Sequence, residues 1–416
     1  MGTAQAPSRV EELRQLAARI QGAVEAYAHG KVADTHEIVR QCQTLQHRAE
    51  SPETFAERLR YQPLDLCALM IAVEGGMLQA LASRGDEEVT ADELAEMAKR
   101  PKLHIVRTLR LLTAIGVCDE VGVQRYRAND KTPVMASKGQ IGGLRVSSVP
   151  VCGITTKIEE YFSMLANGAQ AADTYPPSAY VYTFGKPMYD VLRENPDRRA
   201  DFDAYMAARK QEKTRTWHTV YPVISELSLA LAPKGKLLDT SEITIVDVGG
   251  NRGHDLESFT DSNPGFNGRL VLQDLPETIG PLLADGKKRV FEAMPHDFFT
   301  PQPVRGATLY LLLACLHNWE DEACRKILQN LADAMRRGYS RLLISAMLLP
   351  EVGAGRRAAE LDMQMWVLQQ SRQRTRSELE ALVHSVGLEV VKVWENGERE
   401  SIVEVRLPEN GTNGLM

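Results

Sequence analysis

Residues 242–259 read EITIVDVGGNRGHDLESF: a β-branched apolar run, a glycine-rich turn, then a segment with helical character. A strand that turns on glycines into a helix opens a nucleotide-binding βαβ unit, because the first backbone N–H groups of the helix are free to meet an anion or polar ligand. Gly249, Gly250 and Gly253 permit the tight turn and a close approach of a ligand to the backbone. Outwards from this turn, LVLQDLP (270–276) reads as a second strand, ATLYLLLACL (307–316) as a third, RLLISAMLLP (341–350) as a fourth and IVEVRL (402–407) as a fifth. Helical stretches such as DEACRKILQNLADAMRRG (321–338) and TRSELEALVHSVGL (375–388) lie between them. Strands alternating with helices predict an α/β fold with a parallel, doubly wound sheet, whose ligand sits at the carboxyl ends of the strands.

Asp274 closes the second strand, where a carboxylate can take both hydroxyls of a ribose; an Asp opening the Asp274-Leu275-Pro276 turn reads equally well as turn chemistry. The spacing GGNRG lacks the G-x-G-x-x-G order that seats a pyrophosphate. The glycines and the acid together predict an adenosine-type cofactor.

The N-terminal half is helical. Residues 9–50 set Leu13, Leu16, Ile20, Val24 and Tyr27 at helical spacing, an amphipathic helix whose stripe needs a partner surface. LDLCALMIAVEGGMLQAL (64–81) is a helix interrupted at Gly75-Gly76, and Thr90 with Glu93 forms a capping box opening the next. LHIVRTLRLLTAIGV follows as a third helix ending near Gly116, and CDEVGVQRYRAND alternates like a small hairpin. Three helices and a hairpin between about 62 and 130 form a winged-helix pattern. Its would-be recognition helix has only Lys102, His104, Arg107 and Arg110 as basic groups, in a chain of net charge -6. That balance favours a packing or dimerisation module over DNA binding. From 140 to 235 the chain stays mainly helical and rich in aromatics.

The 416 residues allow two domains or one with a large extension, and the composition is that of a soluble globular protein: 44% hydrophobic, 25% charged. No apolar run approaches the roughly 18–20 residues that cross a bilayer, so no membrane partner is expected. The N-terminal MGTAQAPSRVEELRQLAARI carries charges where a signal peptide needs its apolar core. The six cysteines form no CxxC pair and sit mostly among apolar neighbours; they read as buried free thiols in a cytoplasmic protein, with no metal site.

CLHNWED (315–321) places a titratable ring directly after a buried strand. His317 there reads either as the cap of the next helix or as a functional group at a strand's carboxyl end. The order of VDVGGNRGH (246–254), VLQDLP (271–276), MPHDFF (294–299), PQPVRGA (301–307), LHNWEDEACRKILQNLADAM (316–335), LDMQMWVLQQSRQRT (361–375) and VWENGERESIVEV (393–405) decides between them. In that order the motifs resemble the S-adenosylmethionine-dependent O-methyltransferases of plant and fungal secondary metabolism, a fold that also includes O-methyltransferase-like pericyclases. The resemblance implies a class I methyltransferase sheet preceded by a winged-helix dimerisation domain. The implied division is a dimerisation domain over 1–135, a helical connecting region over 136–235 that contributes to the substrate pocket, and a catalytic domain over 236–416. It implies S-adenosylmethionine or S-adenosylhomocysteine as cofactor, held by Gly249, Gly250, Asp274, Leu275, Asp297 and Phe298, and His317 as the general base. Candidate pocket residues are Met206, Trp217, Met347, Met363 and Trp366, with His218 weaker; Met and Trp at such positions also serve as core filler.

Three positions depart from the family pattern. Leu313 stands where a Lys or Arg usually lies four residues before the base, Ala346 where an acid precedes the ILP-like turn, and Gln373 where a second Glu occupies the ERT position. The sequence therefore supports methyl transfer to a hydroxyl of a small molecule, with pericyclase or dehydratase action on a polyketide–pyridone substrate as the alternative.

Overall fold

The computed structural model describes residues 8–31, 35–168, 177–211, 216–231, 238–396 and 399–409. Two compact units divide between Ser137 and Lys138. The expected boundary between 235 and 236 lies outside the described residues.

In the first unit the stretch 9–50 forms two helices, Arg9–Ala28 and His36–Ala49, where the sequence suggests one. Gly30, at φ 67°, turns the chain out of the first. The next pair, Pro63–Glu74 and Met77–Arg84, is parted at Gly75-Gly76, with Gly76 left-handed at φ 67°. Thr90 and Glu93 make their capping box: Thr90 N donates to Glu93 Oε2 at 2.7 Å, and Glu93 N to Thr90 Oγ1 at 3.2 Å. Helix Lys102–Ala114 and the antiparallel hairpin Cys118–Gly122/Arg125–Ala128 complete the expected order.

In the second unit, helices between Lys138 and Leu231 precede a seven-stranded sheet. Its strands, numbered within that sheet, are β1 (Thr244–Val248), β2 (Arg269–Asp274), β3 (Glu292–Pro295), β4 (Leu309–Leu313), β5 (Arg341–Ala346), β6 (Glu389–Trp394) and β7 (Ser401–Arg406), in the spatial order β6-β7-β5-β4-β1-β2-β3. The first five run parallel. β7 is antiparallel to both β5 and β6, so the sheet is mixed where a parallel one is expected from sequence. β6 and β7 follow each other too closely for a crossover helix, and a short connection forces an antiparallel pair. β3 and β6, the two edges, escape sequence reading; β3, Glu292–Pro295, is only four residues long and carries little apolar pattern.

The central strands are buried on both faces: Val246, Leu309, Leu311, Leu312, Leu342 and Ile344 have no exposed surface. β4 and β2 flank β1, so the chain reverses its winding direction beside β1 and opens a crevice at its carboxyl end. Of the cysteines, Cys118, Cys315 and Cys324 are buried, but Cys42, Cys67 and Cys152 are exposed, against expectation. All three lie on helices, where sequence neighbours point about 100° apart, so apolar neighbours do not imply a buried position.

Candidate active site

β1 ends at Val248, and the chain passes through Gly249 at φ 74°, Asn251 at φ 56° and Gly253 at φ 83° into helix His254–Ser262. The N–H groups of Gly249 and Gly250 both donate to Gln273 O, at 2.8 and 3.1 Å, which fastens the turn to β2. A Cβ on Gly249 would stand 2.9 Å from Cys315 Sγ and 3.4 Å from Phe298 Cε1, and one on Gly250 2.3 Å from Asp247 Oδ2. Only glycine passes here. The same contacts show that Phe298 and Cys315 reach the first glycine of the turn.

Asp274 closes β2 with each carboxylate oxygen partly used: Oδ2 accepts from Asn251 N and Oδ1 from Leu275 N, both at 2.8 Å. Each oxygen keeps a further lone pair, enough to accept two ribose hydroxyls in a fixed orientation. The Leu275 side chain is 42% exposed next to it. Beyond β3, Asp297 Oδ1 accepts from Phe299 N at 2.9 Å, and Phe298 O accepts from Asn330 Nδ2 at 2.9 Å. Phe298, Phe299 and Trp319 pack edge to face, with centroids 4.8–6.0 Å apart. Glycine cradle, carboxylate and aromatic wall are thus compatible with an adenosine cofactor.

β4 ends at Leu313, followed by Ala314 at φ 55°, a backbone strained for an L-residue with a Cβ. The chain then makes the 3₁₀ turn Leu316–Asn318 with a half-buried His317. Arg374, only 5% exposed, grips this turn. Its Nη1 donates to Leu316 O at 3.2 Å and its Nη2 to Trp319 O at 2.9 Å, one carbonyl on each side of His317. Nε and Nη2 also reach Asp321 Oδ1 at 3.0 and 2.8 Å, and Arg372 Nη2 takes Asp321 Oδ2 at 2.8 Å. Burial works to raise the Asp321 pKa, but the two guanidinium groups outweigh it and hold the carboxyl below its usual range. A depressed folded-state pKa contributes stability above the ordinary carboxylate pKa of about 4, lost as pH falls further.

The candidate pocket residues divide. Met363 (52% exposed) and Trp366 (37%) stand on helix Arg356–Gln369, which packs against the His317 turn; Trp366 meets Phe162 at 6.2 Å between centroids. Met347 is buried just after β5. Met206 is half-buried on helix Pro196–Gln211, which packs on Lys138–Gly143 through glycines so close that a Cβ on Gly142 would stand 2.2 Å from Asp201 O. Trp217 is a correction: it lies in the apolar core, stacked on Phe259 at 5.5 Å with Nε1 donating to Asp255 O at 3.2 Å. His218 likewise pairs with Ser258 Oγ at 3.1 Å, and burial lowers its pKa.

Leu313 pairs with Ser345 across the sheet, Ala346 ends β5, and Gln373 is buried with its N–H donating to Asp362 Oδ1 at 2.9 Å. Sequence reading misses the grip of Arg374 and Asp321, because their 53-residue separation carries no local pattern. It also leaves Tyr189 out of the pocket candidates. That residue is 46% exposed, and burial around its hydroxyl raises the phenol pKa, with the Gln369 side chain, on the helix of Met363 and Trp366, acting the other way. Among the described residues no group of three His, Cys, Asp or Glu side chains could hold a metal ion.

A sheet of this strand order, with a glycine turn after β1 and an acid closing β2, defines a class I S-adenosylmethionine-dependent methyltransferase fold. Residues 162–389 match the family model described as the O-methyltransferase domain, and the chain belongs to that family. O-methyltransferase ATR12 of Stachybotrys chlorohalonatus is 33% identical over 371 residues, 88% of this chain and 91% of that one. The crystal structure of OxaC in complex with S-adenosylhomocysteine and oxaline is similar at a TM-score of 0.77 and 26% identity, covering 96% of this chain and 100% of that one. A solved structure described as a pericyclic reaction enzyme reaches a TM-score of 0.79 at 22% identity over 96% of this chain and 100% of its own, a likeness of fold. The chain is accordingly an enzyme of the S-adenosylmethionine-dependent O-methyltransferase family.

If Asp274 fixes the ribose, Asp274→Ala should weaken S-adenosylhomocysteine binding by roughly 10- to 100-fold, the size of hydrogen bonds to a charged group. Titration calorimetry on the folded variant reads this directly; unchanged affinity would remove Asp274 from the site.

Proposed function

We propose that this enzyme transfers a methyl group to a hydroxyl of an aromatic or polyketide-type small molecule, with His317 as the general base. The observation that carries this reading is the placement of His317 just past β4, two residues after the Cys315 that touches the Gly249 turn. When bound, S-adenosylmethionine supplies an electrophilic methyl carbon. Gly249, Gly250, Asp274, Leu275, Asp297 and Phe298 would hold it at the crevice. An imidazole, whose reference pKa as a free side chain is around 6.5, can take the proton that a phenol of pKa near 10 keeps at neutral pH as the phenol oxygen attacks the methyl carbon. Met363 and Trp366, with Tyr189, offer apolar and aromatic surface to a flat substrate.

A second reading is dehydration or pericyclic closure of a polyketide–pyridone substrate without methyl transfer. It is favoured by Ala346 and Gln373, which stand where the family pattern has acids. Shape and hydrogen-bond donors, without a strong base, suffice for that chemistry.

The two readings separate on His317→Ala. With a panel of phenolic and pyridone polyketides followed by mass spectrometry, methyl transfer predicts one S-adenosylhomocysteine per product and a rate loss of about 10²–10⁴-fold in the variant. Substrate consumed with no S-adenosylhomocysteine formed would promote the second reading.

The reading includes a homodimer in the cytoplasm. It is supported by apolar side chains left open on the N-terminal unit, Tyr27, Val39, Leu59, Tyr61, Leu64 and Ile71 among them, each 45–53% exposed. Light scattering at micromolar concentration should give about twice the chain mass; a particle of 46.2 kDa would contradict it.

A further inference from the structure

The His317 turn is held through its backbone. Asn318 N donates to Cys315 O at 3.0 Å and Trp319 N to Leu316 O at 3.1 Å, so the turn has local bonds of its own. Those bonds define a 3₁₀ turn but do not fix it relative to the sheet. Anchorage to the rest of the fold is shared by Cys324, whose Sγ donates to Leu316 O at 3.3 Å and Trp319 O at 3.4 Å, and by Arg374, far along the chain, which donates to the same two carbonyls and to Cys324 Sγ (3.3 Å), with Asp321 holding the guanidinium in place. Arg374 sits in a short parallel pairing with Leu348, directly after Met347, so its Cα is itself tied to the segment that continues β5.

We propose that Arg374, seated on Asp321, is a positioning residue that fixes the His317 imidazole by pinning the carbonyls on either side of it, a role that a side-chain carboxylate at 346 or 373 would otherwise share. The proposal takes its catalytic meaning from His317 as the base. A guanidinium is well shaped for this, since its planar fork serves Asp321, Leu316 O and Trp319 O together, whereas a lysine ammonium is one point charge on a flexible stem. Pinning both carbonyls fixes the direction in which the His317 Cα–Cβ bond leaves the turn. Displacement of a reacting group by about 1 Å can cost on the order of 100-fold in rate, so this orientation affects turnover far more than binding. Asp321 anchors the guanidinium and is held in turn by Arg372, which also reaches Glu378 Oε1 at 3.2 Å. The grip therefore belongs to a network that ends at the surface.

The test needs no known substrate. The full-length chain, loaded with S-adenosylhomocysteine, is labelled at histidine Cε1 with ¹³C; its 9 histidines give as many signals, and His317→Ala identifies the one in question. In Arg374→Lys, which keeps the charge, the His317 signal should shift and broaden while the others stay in place and circular dichroism stays that of the wild type. Asp321→Asn, which loosens the guanidinium without removing it, should move the same signal less. On any acceptor the wild type methylates, Arg374→Lys should lower kcat by roughly tenfold or more and leave KM and S-adenosylhomocysteine affinity within about twofold. An unmoved His317 signal in folded Arg374→Lys overturns the proposal. If Arg374→Lys does not fold, an unmoved signal in Asp321→Asn does so equally. A shifted signal in a protein that makes no S-adenosylhomocysteine with any acceptor keeps the positioning role and rejects methyl transfer instead.

Discussion

Everything at the site depends on three strand ends being drawn to one point. Gly249 and Gly250 give both N–H groups to the carbonyl of Gln273, Asn251 gives its own to Asp274, and Cys315, two residues past β4, lies against Gly249. The turn after β1 therefore cannot move independently of β2 or β4. Its positive φ angles and the absence of a Cβ are what permit the approach, since a methyl group at 249 or 250 would enter the van der Waals radius of Cys315 or Asp247. The candidate ribose acid Asp274 and the candidate base His317 are thereby placed on the same crevice from opposite neighbours of β1.

What can be read from the sequence follows from which interactions are local. The glycine turn, the strands β1, β2, β4, β5 and β7 and the capping box at Thr90 each write a pattern within a dozen residues, and each is found where the pattern puts it. The antiparallel run of β7 escapes notice because IVEVRL is apolar enough for a buried parallel strand, and only the short link from β6 reveals its direction. Trp217 is misplaced for a similar reason. A tryptophan beside a histidine reads alike in a pocket or a core, and the choice rests on Phe259, far along the chain, which covers it. The Arg374–Asp321 grip lies furthest out of reach, since nothing near Arg374 signals that it will be 5% exposed.

The departures from the family pattern take on a physical sense beside that grip. Ala346 and Gln373 remove carboxylates that would orient an imidazole and stabilise its charged form. The structure retains a carboxylate beside Gln373, that of Asp362, whose Oδ1 accepts from the Gln373 N–H. Orientation of His317 through the backbone and charge stabilisation of its imidazolium are separable roles. Arg374 can serve the first but, as a cation, not the second.

The central claim is that a methyl group leaves this crevice on an oxygen, and isotope transfer tests it with the least interpretation. The enzyme is incubated with S-adenosylmethionine carrying a fully deuterated methyl group and with extract from a producing strain or a set of phenolic and pyridone polyketides, and products are resolved by mass spectrometry. The account predicts a product heavier than its precursor by one deuterated methyl in place of one hydrogen, with the label on oxygen. A product of unchanged mass, or one lighter by a water, with the labelled cofactor intact would contradict it.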